Sequence, residues 1–173
     1  MLTVRMNEPA IEAGLRHPVR AAELAPDLRA LVDEGVVRHG TALAFARDAA
    51  QTLPPFPGEA DLTGWECETS SVHLDDAVPV HVGSSDGEPV ISEADQVLML
   101  RHGWALALEV VRLVRAMPEP VAVRCIVSAS STNGTFRFHR DRPRESWLAR
   151  DIDAYRLEKL IVVDSRPPRP GGG

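Results

Sequence analysis

The chain has few of the residues and segments that mark specialised classes of protein. Its 173 residues include two cysteines, Cys67 and Cys125, which lie far apart without CxxC spacing, so a disulfide scaffold is not expected. The N-terminus lacks the apolar core of a secretory leader, and no uncharged apolar run reaches roughly 18 residues. These absences argue against a secreted or membrane protein, and we expect a cytoplasmic one.

Positive charge is missing from the middle of the chain. No Lys or Arg occurs between Arg47 and Arg101, whereas residues 48–100 contain eleven Asp and Glu residues. Residues 112–150 reverse this sign, with eight arginines against three acids. Such segregation can be satisfied within the fold, between identical copies or against a separate partner. The net charge of −6 makes nucleic acid an unlikely partner.

Signatures of catalysis and of cofactor binding are also absent. The glycines form neither GxGxxG nor a phosphate loop, so no nucleotide cofactor is expected. His73, Asp75, Asp76 and His81 are residue types that bind divalent metals, but their spacing matches no standard metal motif. Exposed polar residues around a turn would account for these four side chains without a metal ion. We therefore assign no catalytic residue, no metal site and no cofactor.

Hydrophobic periodicity predicts an α+β fold built on a long helix. Residues 97–114 are apolar around most of a helical circumference, Ser92 is a suitable N-cap, and prolines follow Met117. This pattern predicts a buried helix over 92–117. Residues 1–52 are predicted to be mainly helical, with one helix opening at Pro26 and a second over about 41–51.

The remaining segments predict a mostly antiparallel sheet of about five strands packed on the long helix. Strands are expected around Trp65–Leu74, over Val78–Val82, on both sides of Asn133, and over Lys159–Asp164. Pro79 places the second of these at an edge, and the apolar alternate faces of the last place it in the interior. We assign one α+β domain to residues 1–165, with a linker at 53–63 and a disordered tail at 166–173.

The dipeptide Asn133–Gly134 predicts a two-residue type I′ loop between two strands. In that register Ser128 lies opposite His139, and alternate residues fall on opposite faces of the hairpin. The apolar face collects Val121, Val123, Cys125, Val127, Ala129, Phe136 and Phe138. The polar, cationic face collects Arg124, Ile126, Ser128, Ser130, Arg137 and His139.

Two functions remain open. The first is a non-enzymatic binding protein, of the inhibitor or immunity type, that presents an acidic surface to a basic protein partner or to a second copy of itself. Its candidate contact residues are Asp75, Asp76, Asp86 and Glu88. The lack of catalytic signatures favours this hypothesis.

The alternative is a small enzyme or ligand-binding domain that recognises an anionic small molecule on the cationic face. Its candidate ligand-binding residues are Arg124, Ser128, Ser130, Arg137 and His139. Arginines would fix the anion and His139 would transfer a proton, in a pocket closed by the N-terminal helices. An ordinary solvated sheet face explains the same residues without any ligand.

Overall fold

A computed structural model describes residues 1–50 and 61–167 and shows an α+β fold. The strands are β1 (Leu2–Met6), β2 (Val36–His39), β3 (Ala42–Phe45), β4 (Val72–His73), β5 (Val82–Ser85), β6 (Glu88–Ile91), β7 (Val123–Ala129), β8 (Gly134–Arg140) and β9 (Lys159–Ser165). The α-helices are α1 (Glu8–Glu12), α2 (Pro26–Glu34), α3 (Ala46–Ala49), α4 (Leu62–Thr69), α5 (Leu74–Ala77) and α6 (Glu93–Arg115).

The main sheet confirms the predicted fold class. It is a five-stranded antiparallel sheet in the order β1, β9, β7, β8, β4. Strand β9 lies in the interior between β1 and β7, as its apolar alternate faces predict. The pairs β2–β3 and β5–β6 form two smaller two-stranded sheets. No helix within residues 1–50 or 61–167 is both long and apolar enough to cross a bilayer.

Helix α6 packs on one face of the main sheet and confirms the predicted long buried helix. The hydroxyl of Ser92 accepts a hydrogen bond from the backbone N–H of Asp95 at 3.1 Å, which fixes the start of the helix. Glycines allow close approach: a Cβ on Gly103 would overlap the Val127 side chain, and one on Gly134 would lie 2.7 Å from the sulfur of Met99. The apolar sheet face and α6 therefore share the core.

Helix α2 lies on this apolar side, where it adds Leu28 and Leu31 to the core. The ring of Phe45 in β3 meets that of Phe138 edge-on, with 5.0 Å between the centroids. The prediction that N-terminal helices close the cationic face is therefore wrong. Helix α2 begins at Pro26, as predicted. The second predicted helix, over about 41–51, is wrong, because β3 occupies Ala42–Phe45 and only the short α3 follows it. Strands β1 and β2 also lie in this part of the chain, and Gly40, with φ of 63°, makes the turn between β2 and β3.

The segment after the described gap differs from its predicted strands. Asp61 accepts a hydrogen bond from the N–H of Gly64 at 2.8 Å and caps α4, so Trp65 lies in a helix rather than in a strand. The predicted edge strand over Val78–Val82 begins only at its last residue, where β5 starts. Residues 53–60 of the predicted linker lie outside the described residues.

The C-terminal prediction falls largely outside the described residues, which end at 167. Of the predicted tail, Arg166 donates its backbone N–H to the carbonyl of Met1 at 2.9 Å, and its guanidinium pairs with Asp141 at 3.2 Å. Arg166 is therefore tied to the body of the protein, contrary to the prediction. Residues 168–173 cannot be compared with it.

The β7–β8 loop has four residues, Ser130–Asn133, instead of the predicted two. The Ser130 hydroxyl accepts hydrogen bonds from the N–H groups of Thr132 at 3.2 Å and of Asn133 at 3.3 Å. Gly134 belongs to β8, where its N–H donates to Asp75 at 3.0 Å. Ser128 therefore faces Thr135 and not His139. The predicted register is wrong by an even number of residues.

An even shift in register leaves each side chain on its predicted face of the sheet. Phe136 and Phe138 point into the apolar core, and Arg124 pairs with His139 on the opposite face. Ser130 is the exception, because it belongs to the loop and not to the cationic face.

Candidate anion-binding site

The polar face of the main sheet packs against another segment of the chain and is not exposed to solvent. We define the polar face as Arg124, Ile126, Ser128, Thr135, Arg137, His139, Leu160, Val162 and Asp164, with Arg5 on β1. Residues 141–158, here called the covering segment, run over it. Ile152 of this segment is buried, as are Ile126 and Val162 beneath it. The interpretation as an open, solvated sheet face is therefore wrong.

A cavity of about 340 Å³ lies between the covering segment and the sheet. Its size falls within the range of small-molecule sites. It is lined by Arg5, Arg124, Arg144, Glu145, Ser146, Leu148, Ala149, Arg150, Ile152 and Val162. Four of these side chains are guanidinium groups, which suit an anionic ligand.

Two of the arginines are held by one carboxylate. Arg124 on β7 pairs in register with Asp164 on β9, and its Nε donates to Oδ1 of Asp164 at 2.6 Å. A terminal nitrogen of Arg5 lies 3.4 Å from Oδ2 of the same carboxylate. Burial lowers the pKa of Arg124, but the hydrogen bond and charge of Asp164 outweigh it and raise that pKa. Arg124 therefore stays charged, and its two terminal nitrogens form no hydrogen bond within residues 1–50 and 61–167.

The other two arginines come from the covering segment. Arg144 and Arg150 are exposed and form no ion pair or hydrogen bond within the described part of the chain. Arg144 has φ of 67°, a left-handed backbone conformation that is costly for a residue with a side chain. Glu145 accepts a hydrogen bond from the hydroxyl of Thr63 at 2.5 Å. Because four arginines and one carboxylate of the described residues line the cavity, it carries an excess of positive charge.

His139 lies on the same face but does not line the cavity. It is fully buried, and its Nδ1 donates to the carbonyl of Arg140 at 2.8 Å, which leaves Nε2 as an acceptor with no partner among the described residues. Burial lowers the pKa of His139, and the hydrogen bond to Arg140 offsets this only in part. The neutral ring packs inside the protein. It does not reach the cavity, so it is not positioned to transfer a proton to a ligand there.

The other predicted ligand-binding residues are engaged in contacts within the protein, Ser130 in the β7–β8 loop and Ser128 and Arg137 with Thr135. Ser128 and Thr135 share a hydrogen bond of 2.9 Å between their hydroxyls, and both are buried. Arg137 donates to the hydroxyl of Thr135 at 3.0 Å and lies 5.6 Å from the ring centre of Trp147. Of the five predicted residues, Arg124 alone lines the cavity.

Sequence reasoning missed the other three arginines for identifiable reasons. Arg5 was not considered because β1 was not predicted. The arginines of residues 140–150 match no binding motif, and nothing local in the sequence indicates that this segment folds over the sheet. Arg142, for example, pairs with Glu66, far away in sequence. The arginine content of this segment was the available signal, since a run of basic residues next to a cationic strand is typical of anion sites.

One of the four residues of the predicted acidic surface is engaged in a hydrogen bond within the protein, and the other three are exposed. Asp75 accepts a hydrogen bond from Gly134, whereas Asp76, Asp86 and Glu88 are exposed. Asp86 stands at the tip of the β5–β6 hairpin, where φ values of 52° at Asp86 and 85° at Gly87 form a two-residue turn. Among residues 1–50 and 61–167, no three His, Cys, Asp or Glu side chains are grouped to hold a metal ion.

The two cysteine thiols are buried and unpaired. Desolvation raises the pKa of Cys67 to about 12, and it also raises the pKa of Cys125. Both side chains are therefore protonated at neutral pH and are placed as packing groups.

A protein-family model matches most of the chain. The model of the family described as the Uncharacterized protein PM0498 family matches residues 6–169, so the chain belongs to that family. No curated protein and no solved structure matches the chain.

Proposed function

We propose that this family member binds an anionic small molecule in the cavity between the polar face and the covering segment. The observation that carries the proposal is the position of Arg124, which is fixed by Asp164 at 2.6 Å on the floor of the cavity. Above it, Arg144 and Arg150 offer guanidinium groups that pair with no carboxylate of the described residues. A donor held in place as Arg124 is can bind an anion with little reorganisation.

Each part of the cavity has a role in this proposal. The terminal nitrogens of Arg124 form a fork for two oxygens of the anion, and Arg5 adds a donor from the neighbouring edge of the sheet. Leu148, Ile152 and Val162 supply an apolar wall for the body of the ligand. The proposed role is binding, and no residue of the chain is assigned to catalysis.

The proposal is tested by titration with small anions. We expect phenyl phosphate or benzoate to bind the full chain in isothermal titration calorimetry and to raise its melting temperature. Arg150→Ala should weaken binding about tenfold, because it removes a charge-assisted hydrogen bond. Arg156→Ala is the matched control, since Arg156 is an exposed arginine of the covering segment that does not line the cavity. Absence of binding by both anions would refute the proposal.

A second candidate is the acidic binding protein, which the β5–β6 hairpin favours. Asp86 and Glu88 are exposed on this hairpin beside the exposed side chains of Val82 and Val90. Acidic groups around apolar ones are suited to a basic protein surface. We keep the cytoplasm as the proposed compartment, because the two thiols are unpaired.

The test of this candidate is the affinity for a decalysine peptide as a function of salt. The double variant Asp86→Asn, Glu88→Gln should weaken binding and reduce its salt dependence. Its control, Asp33→Asn with Glu34→Gln, removes the same charge from the exposed end of α2. Equal losses in both variants would show general attraction to an acidic protein and would contradict a specific surface.

A further inference from the structure

We infer that the ligand of the arginine cavity carries a dianionic phosphate group on a compact apolar body. This inference rests on the proposed function and specifies its ligand class. A carboxylate, a sulfonate and a phosphate monoester all present oxygens to guanidinium groups, but they differ in charge and in the number of acceptor oxygens. The cavity distinguishes among them on both counts.

The charge of the cavity matches a dianion. Four arginines and Glu145 line it, and Asp164 pairs with both Arg5 and Arg124. Asp141 also acts on Arg124, but it is paired with Arg166. Among the four arginines, Glu145 and Asp164, positive charges exceed negative ones by two. A phosphate monoester carries about −1.5 to −2 at pH 7, whereas a carboxylate or a sulfonate carries a single negative charge.

The directions of the donors also favour phosphate. Arg5 and Arg124 rise from two strands of the sheet, and Arg144 and Arg150 come from the covering segment on the opposite side. A carboxylate presents two oxygens in one plane and is satisfied by a single guanidinium fork. The three terminal oxygens of a phosphate monoester point in different directions and can accept from arginines on both sides.

The apolar wall requires a body on the phosphate. Ile152 and Val162 are buried side chains that line the cavity together with Leu148. Inorganic phosphate would leave this wall without a partner. A small apolar or aromatic group would cover it and remove its apolar surface from water.

The experiment compares four probes by calorimetry at pH 7.5: phenyl phosphate, benzenesulfonate, benzoate and inorganic phosphate. Phenyl phosphate should bind at least about tenfold more tightly than each of the others, because it alone combines two charges with an apolar body. Its affinity should fall as the pH drops through about 6, where the phosphate takes up a proton while the arginines stay charged.

Variants locate the binding to this cavity. Glu145→Gln removes the one carboxylate on the lining and should tighten phenyl phosphate several-fold, more than it tightens benzenesulfonate. Arg144→Ala and Arg150→Ala should each weaken it about tenfold, and Arg156→Ala should leave it unchanged. Circular dichroism of each variant verifies that the fold is retained.

The outcomes separate the two proposals. Equal affinity for phenyl phosphate and benzenesulfonate would overturn the dianion inference and leave anion binding intact. Equal affinity for phenyl phosphate and inorganic phosphate would overturn the apolar body. Binding by none of the four probes, or binding that Arg144→Ala and Arg150→Ala leave unchanged, would overturn the site itself.

Discussion

Glu66 and Arg142 form a two-pronged ion pair, with 2.6 Å between one guanidinium nitrogen and Oε2 and 3.1 Å between the other and Oε1. The same carboxylate accepts the backbone N–H groups of Leu43 at 2.7 Å and Arg140 at 3.1 Å. Glu66 comes from the acidic stretch and Arg142 from the basic one. The segregated charge of the sequence is therefore satisfied in part within the fold, and one buried carboxylate joins α4, β3, β8 and the covering segment.

Replacing Glu66 by Ala should destabilise the protein by about 3–5 kcal/mol. Glu66 is fully buried, so the variant leaves two backbone donors and a guanidinium group without their acceptor. Urea denaturation monitored by circular dichroism measures the free energy of unfolding. Glu68→Ala is the control, because Glu68 is an exposed acid of the same helix and should change stability by less than about 0.5 kcal/mol. Equal effects of the two variants would contradict the structural role of Glu66.

Replacing Gly103 by Ala should destabilise the protein although alanine favours helices. The helical preference contributes about 1 kcal/mol, but the new methyl group would overlap Val127 and approach Leu74 to 3.0 Å, at a cost of about 1–3 kcal/mol. In a Val127→Ala background the overlap is removed, and Gly103→Ala should then be neutral or stabilising. A double-mutant cycle by urea denaturation measures this coupling. Additive effects would show that Val127 does not limit the approach of α6.

The elements that the sequence predicted well are those that are apolar on most of their surface. Helix α6 and strand β9 are apolar on both sides because each is enclosed by the core, and a long apolar pattern needs no knowledge of its partner. The strand prediction for residues 65–74 was wrong because the alternation of Trp65, Cys67, Val72 and Leu74 fits a strand as well as it fits a short helix followed by β4. The hydrogen bond that Asp61 accepts at the start of α4 favours the helix.

The hairpin loop shows why turn signals fail at a buried position. Asn133 and Gly134 have the letters of a type I′ turn, but neither has a positive φ. Gly134 instead serves close packing against Met99 and donates to Asp75, contacts that cannot be read locally. The candidate site was missed for the same reason: one of its arginines follows from strand alternation, and the others depend on how distant segments fold over the sheet.

Acidification should destabilise the protein through His139. In the unfolded chain the imidazole takes up a proton near pH 6.5, whereas burial lowers the pKa of folded His139 below that value. The unfolded state then binds more protons at pH values between the two, so the free energy of unfolding decreases as the pH falls through 6.5. His102, whose pKa is also lowered by burial, acts in the same direction.

The measurement is the difference in unfolding free energy between pH 7.5 and pH 5.5, obtained by urea denaturation. His139→Gln should be less stable than the parent at pH 7.5, because it disturbs a buried side chain, but its loss of stability on acidification should be smaller. His81→Gln, at an exposed histidine, should keep the full pH dependence of the parent. An unchanged pH difference in His139→Gln would remove His139 as a source of acid sensitivity.

The left-handed backbone at Arg144 predicts that stability and ligand binding can be separated at one residue. With φ of 67°, this position costs a residue with a Cβ about 1–2 kcal/mol relative to ordinary backbone, a cost that glycine escapes. Arg144→Gly should therefore be more stable than Arg144→Ala by about 1 kcal/mol, although glycine gains entropy in the unfolded chain. Both variants lack the guanidinium group and should weaken the binding of phenyl phosphate to the same extent. Thermal denaturation without ligand and calorimetry with it measure the two effects. If Arg144→Ala were more stable than Arg144→Gly, the fold would not hold residue 144 in the left-handed conformation. The backbone strain at this residue would then give no reason to connect it with the arginine cavity.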